Sequence, residues 1–157
     1  MEKSFTITVS GANDAPVITA PDTLSPPEDS TNFPLTGISY TDLDDFGGTQ
    51  TLTLSVTHGT LTLGTTTGLT FAAGSNGSAS MTVTGTKEAL NAALDNLGYT
   101  PTADYHGADE LSITIVDKAG GTGAGSEGSI GVGDQTSTKT ISLNDRRTPN
   151  AIRYVRQ

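Results

Sequence analysis

The sequence predicts an all-β fold, a Greek-key β-sandwich of the immunoglobulin-like type with one short helix. Three observations lead there. Thr is the commonest residue, followed by Gly, while aromatics are scarce and Trp is absent; that blend favours short strands and turns over long helices. Runs of alternating apolar and polar residues recur at regular spacing between turn residues. A strand that ends in Asn-Asp with Pro beyond it occurs twice. Thr8-Val9-Ser10 leads into Asn13-Asp14-Ala15-Pro16, and Thr140-Ile141-Ser142 leads through Leu143 into Asn144-Asp145, with Pro149 further on. Asn and Asp side-chain oxygens favour turns, and Pro cannot donate to a ladder. The two copies lie 131 residues apart, which implies one unit of a tandem array. Residues 1–12 then read as the terminal strand of a preceding unit, 13–145 as the unit itself, and 146–157 as a disordered basic tail.

Each element follows from its pattern. Phe5, Ile7 and Val9 alternate with polar residues over 4–10, a half-buried strand. Val17-Ile18-Thr19 opens the unit, and Pro26-Pro27-Glu28-Asp29 is an extended, strand-poor entry. Phe33 to Tyr40 reads as one strand, ending in Thr41-Asp42-Leu43-Asp44-Asp45 and a Gly47-Gly48 turn. Thr51 to Thr57 carries Leu52, Leu54 and Val56 on one face, and Leu61 and Leu63, beyond His58-Gly59, read as its hairpin partner. Short strands follow at Leu69 to Phe71 and Ser80 to Thr84. The period then changes: Ala89, Leu90, Ala93, Leu94 and Leu97 share a helical face, with Thr86 as N-cap and Gly98 past the end. Tyr99 begins an extended piece, Leu111 to Val116 is a strand, 119–133 is a Gly-rich loop, and Thr138 to Leu143 is the final strand.

Charge narrows the partners. All 17 acidic residues lie at or before Asp145, against only four lysines there, and Arg146, Arg147, Arg153 and Arg156 fill the tail. An acidic body disfavours nucleic acid and anionic membranes and suits cations. The absence of Cys excludes disulfides and thiolate metal sites. No apolar run is long enough to span a bilayer, and none follows Met1-Glu2-Lys3 as a signal peptide would require.

Asp42 and Asp44 carry the clearest chemistry. In extended chain residues i and i+2 point to the same side, so both carboxylates face one place. Like charges held together call for a positive partner, and Ca2+ takes six to eight oxygens from carboxylates, carbonyls and amides. The competing reading is a solvated acidic turn. An EF-hand does not fit, since Phe46 falls at the third ligand position and no Glu closes a twelve-residue loop. Gly123-Ala124-Gly125-Ser126-Glu127-Gly128 spells a dinucleotide fingerprint but lacks the helix that would receive a pyrophosphate, and Ser126 lacks a nucleophile-elbow context. His58 and His106 each precede Gly in turn settings, and Asn76-Gly77-Ser78 is a sequon that matters only in a eukaryotic secretory pathway.

An ordered set of short strings then becomes specific: Glu28-Asp29-Ser30, Asp42-Leu43-Asp44-Asp45, His58-Gly59-Thr60-Leu61, Leu90-Asn91-Ala92-Ala93-Leu94 to Tyr99-Thr100-Pro101, Tyr105-His106-Gly107-Ala108-Asp109, and Asp117-Lys118-Ala119-Gly120-Gly121. From Asn13 to Asp145 the chain resembles a bacterial cadherin-like repeat, the proteoglycan-type unit found in tandem in large surface adhesins. The resemblance implies a cadherin-like β-sandwich with a Ca2+ site at its entry end, held by Asn13, Asp14, Asp42, Asp44 and Asp117. It assigns Glu28 to the opposite end with the outgoing Asn144 and Asp145. It further implies an extracellular location on a bacterial cell surface, as part of a larger secreted protein. The partners would be neighbouring repeats of the same polypeptide, with homotypic or host-surface contacts beyond them.

Three functions compete. The first is a structural extender module of an adhesin, rigidified by Ca2+ at the module junctions. The second is a ligand-binding module for carbohydrate or a host protein; there is no Trp, and the tyrosines at 40, 99, 105 and 154 are scattered, which is a poor platform for sugar. The third is a small hydrolase, for which no nucleophile is paired with an oriented base. The expectation is a calcium-binding, non-enzymatic module.

Overall fold

The computed structural model describes residues 1–5, 13–43, 45, 47–118 and 133–147. The chain is mostly β-sheet with one short helix. Its elements are β1 (Val17–Thr19), β2 (Thr23–Leu24), β3 (Phe33–Pro34), β4 (Ser39–Thr41), β5 (Gln50–Ser55), β6 (Gly59–Thr62), β7 (Thr70–Ala73), β8 (Ser80–Gly85), α1 (Lys87–Asp95), β9 (Gly98–Pro101), β10 (Ala108–Asp117) and β11 (Gln135–Asn144). A six-stranded sheet runs β2-β11-β10-β5-β8-β7, a three-stranded sheet β3-β9-β6, and a two-stranded sheet β1-β4. Every pairing is antiparallel except β2 on β11.

Alternation in the sequence fixes which face of the large sheet is buried. Leu52 and Leu54 of β5, Met81 and Val83 of β8, Leu111, Ile113 and Ile115 of β10, and Ile141 and Leu143 of β11 are all essentially inaccessible. They form one core with Leu61 and Tyr99 of the three-stranded sheet and with Leu90, Ala93 and Leu94 of α1. The opposite face is hydroxyl-rich, with Thr53 bonding Thr82 and Thr114 bonding Thr138 across strand pairs, each at 3.1 Å.

The helix starts as expected: Thr86 is extended at φ −70° and accepts from the Ala89 N–H at 3.3 Å. It ends earlier than expected, at Asp95 with Asn96 as C-cap. Gly98 is instead the first residue of β9, where an added Cβ would collide with the Asn32 side chain.

Two strand expectations are corrected. Phe33 to Tyr40 is not one strand but two, in different sheets. Pro34 offers no N–H and Gly37 adopts φ +80°, so the chain leaves β9 and turns to pair with β1. Leu61 does not return as a hairpin partner of β5; β6 crosses to pair with β9. The Asp109 carboxylate captures the N–H groups of Thr57 and His58, both at 2.9 Å, at the point where the chain leaves β5. Gly59 then lies so close to Tyr99 that a Cβ would fall 2.5 Å from its ring. The parallel pairing of β2 was not anticipated. Of the expected strand at 4–10, residues 6–10 lie outside the described residues, as does most of the Gly-rich loop. Among the described residues no helix is long and apolar enough to cross a membrane.

Deleting Ile113 beyond Cβ should cost about 2–5 kcal/mol, because its site on the central strand is fully enclosed. Thr53→Ala on the outer face of the same sheet should stay within about 1 kcal/mol of the wild type. Urea unfolding of Ile113→Ala and Thr53→Ala checks the contrast.

Candidate metal centre

The buried face of β10 begins and ends with a carboxylate. Asp109, Leu111, Ile113, Ile115 and Asp117 share one side of the strand, and Asp109 and Asp117 are 7% and 8% exposed. Eight residue steps separate them, about 27 Å along the strand. Each sits in its own polar cluster, one at either end of the core.

At the Asp117 end the structure brings together two of the residues the sequence singled out. Asp42, just past β4, is 9% exposed. The Gln50 side-chain amide donates to the Asp42 carboxylate and, at 3.2 Å, to Asp117 Oδ1. Gln50 Oε1 accepts from the Tyr40 hydroxyl at 2.5 Å. Tyr40 is held in turn by α1: its N–H donates to Asn91 Oδ1 and its carbonyl accepts from Asn91 Nδ2, both at 2.9 Å. A side-chain amide thus takes the place of a neighbouring strand along β4. Lys87, from the first turn of the same helix, pairs with Asp45 at 3.1 Å. Burial, then the negative charges of Asp45, Asp42, Glu88 and Asp117, push the Tyr40 hydroxyl well above its ordinary range, so it keeps its proton. The Asp45 contact raises the Lys87 ammonium as well.

The remaining residues expected at this end are less completely seen. Asp44 lies outside the described residues. Val17 pairs with Thr41 antiparallel, so the segment 13–16 runs toward the end where Asp42 lies. Asp14 is exposed and Asn13 partly so, and Asn13 Nδ2 is buried without a hydrogen-bond partner. Among the described residues no three His, Cys, Asp or Glu side chains are disposed to hold a metal together. The described donors at this end are oxygens of the kind hard cations take, but they make two converging carboxylates rather than a closed shell.

At the other end, Asp109 accepts from the N–H groups of Thr57, His58 and Glu110 and from the Tyr99 hydroxyl at 2.9 Å. Burial pushes this carboxyl up, but those donors outweigh it and hold it below the ordinary carboxylate range. Asp145 is 7% exposed; its Oδ2 lies 3.2 Å from the same hydroxyl, and its Oδ1 has no hydrogen-bond partner. Burial, then the neighbouring Asp109 charge, raises it, against the opposing effect of the Tyr99 hydroxyl. One hydroxyl proton therefore faces two carboxylates. Glu28 lies beside the outgoing chain through its backbone, its N–H donating to the Arg146 carbonyl at 2.7 Å, while its carboxylate is 3.9 Å from His106 Nδ1. Asn144 is exposed at the end of β11 and lines a surface cavity with Thr57, His58 and Asp109. His58 stacks on Tyr105, with ring centroids 4.1 Å apart. The expected tail is engaged at its start, since the Arg146 N–H donates to the Pro26 carbonyl at 2.9 Å; residues 148–157 lie outside the described residues.

Tyr40, Gln50, Tyr99 and Asp109 were not anticipated in either cluster. The signal was present as parity: Gln50 continues the inward series of Leu52 and Leu54, and Asp109 that of Leu111 and Ile113. The chain matches no protein-family model, no curated protein and no solved structure.

Asp109 and Asp145 should respond to pH with opposite sign. The Asp109 contribution is present in full above the ordinary value of 3.8 and is lost as pH falls below it through the depressed folded value. Asp145 disfavours the fold while ionised, and its cost is relieved as pH falls through its raised value. Asp109→Asn should therefore destabilise by about 1–3 kcal/mol near neutral pH, whereas Asp145→Asn in cation-free buffer should raise Tm. Thermal melts of the two variants between pH 3 and pH 7, with chelator present, read both signs.

Proposed function

We propose that this chain is a calcium-binding structural extender module of a tandem-repeat bacterial surface adhesin, built as a cadherin-like Greek-key β-sandwich. The observation that carries the reading is the convergence of Asp42 and Asp117, 75 residues apart in sequence, on one buried amide. Two carboxylates drawn from distant strands into a buried corner favour a divalent partner. The approach of the 13–16 segment to the same end supports an entry-side junction, and the departure of Asn144-Asp145 from the other end of the core supports an exit-side one.

In this reading Asp42 and Asp117 would hold the ion together with Asn13, Asp14 and Asp44, and Glu28, Asn144 and Asp145 would serve the junction to the following module. Bound calcium supplies positive charge that carboxylates from two modules can share, and so opposes bending between them. This chain's part is to hold its oxygens in place at the ends of its core. A carbohydrate platform is less well supported, because Tyr40 and Tyr99 are buried in the core and Tyr105 is stacked on His58. The corresponding location is extracellular.

Millimolar calcium in place of chelator should raise Tm. At a hundredfold excess over Kd the gain is about 2.7 kcal/mol, or roughly 5–10 °C for a chain of this size. Asp42→Asn and Asp117→Asn should each remove most of that shift. An unchanged Tm in calcium, or a shift that both variants retain, would count against the proposal.

A further inference from the structure

The strongest feature that the calcium reading does not use is the amide between the two carboxylates. Gln50 is 1% exposed, with its amide nitrogen in contact with both Asp42 and Asp117. The NH2 of Gln50 faces both carboxylates, whose oxygens accept, and its Oε1 faces Tyr40. The Tyr40 hydroxyl therefore donates to Oε1, and Asn91 fixes Tyr40 through both of its backbone groups. Every donor and acceptor along this line has one orientation that satisfies it. Lys87, the nearby cation on α1, commits its ammonium to Asp45.

We infer that Tyr40 and Gln50 form a neutral clamp that assembles the Asp42–Asp117 pair before any cation arrives, with Gln50 as the positioning residue. A neutral donor is suited to this task. An amide gives one N–H to each carboxylate without adding a fixed charge that a cation would have to displace. A Lys or Arg in its place would hold the carboxylates more tightly and repel the ion, whereas a Leu would leave two buried carboxylates facing each other. The cation-free module then keeps its corner folded, and the oxygens stand ready in place. So far as the pair serves a cation, this inference rests on the calcium reading; the clamp itself does not need it.

The test is made first in chelator. Gln50→Glu keeps the shape, removes both N–H donors and adds a third carboxylate, and should lower Tm by roughly 5 °C or more. Adding Asp42→Asn to that variant returns an amide donor to the cluster with its polarity reversed, and should recover at least half the loss. Tyr40→Phe frees the amide to rotate and should speed solvent exchange of the Gln50 side-chain NH2, which in the wild type should exchange far more slowly than that of an exposed asparagine. Should Gln50→Glu fail to fold, the wild-type exchange measurement decides alone. Gln50→Glu melting within a degree of the wild type, a double variant no better than the single one, or fast wild-type amide exchange each overturn the clamp. A calcium titration of the same proteins separates the two ideas. A clamp seen in chelator with a calcium-insensitive wild type keeps the clamp and removes the calcium reading; a calcium-sensitive wild type with a neutral Gln50→Glu does the reverse.

Discussion

Two carboxylates share one uncharged amide at the Asp117 end of the core, and much of the architecture serves that meeting. Buried carboxylates are costly unless their lone pairs are met. Asp117 arrives on the last position of the central strand, Asp42 just beyond a short strand of another sheet, and Gln50 on the first position of β5. None of these could converge unless β10 and β5 were neighbours with the register that places Val116 opposite Thr51. The helix contributes as well. Its apolar face seals the core, and Asn91 binds the backbone of Tyr40, which orients the amide.

The two ends of the core are built alike. At each, an inward series of aliphatic residues gives way to a carboxylate, and a tyrosine hydroxyl bridges the apolar interior to the polar cluster. Tyr40 reaches Gln50 at one end; Tyr99 reaches Asp109 and Asp145 at the other. The ends differ in their balance. At the Asp117 end the amide provides two donors for two carboxylates. At the Asp109 end that carboxylate is richly supplied by backbone N–H groups, which lock the crossover from β5 to β6, while Asp145 keeps one oxygen unmatched. That unmatched oxygen lies where the chain leaves the core.

Much of this was legible in the sequence because burial and alternation share a period of two. The faces of β5, β8 and β10, the cap at Thr86 and the helical stripe from Leu90 to Leu94 follow directly from spacing. What did not follow were choices of partner. The alternation of Leu61 and Leu63 is the same whether they pair with β5 or cross to β9, and the deciding interactions, Asp109 on the Thr57 and His58 N–H groups, come from residues some fifty positions away. The break at Gly37 was hidden because Phe33 and Tyr40 both suit strands and differ only in the sheet they join. At the candidate site, Asp42 stood out by its spacing to Asp44, and Asp117 only through the resemblance to cadherin-like repeats. Gln50 did not, since a polar residue at a strand's start gives no sign that it is buried unless its parity is counted inward.

The central claim is that Asp42 and Asp117 act as one oxygen pair for a divalent ion. The most direct measurement is 13C NMR of the side-chain carboxylates of chelator-stripped protein during addition of calcium chloride. The account predicts that the Asp42 and Asp117 signals move together and saturate at a common calcium concentration, while that of exposed Asp95 stays in place. Signals of the pair that remain still, or that drift without saturation in step with Asp95, would contradict it.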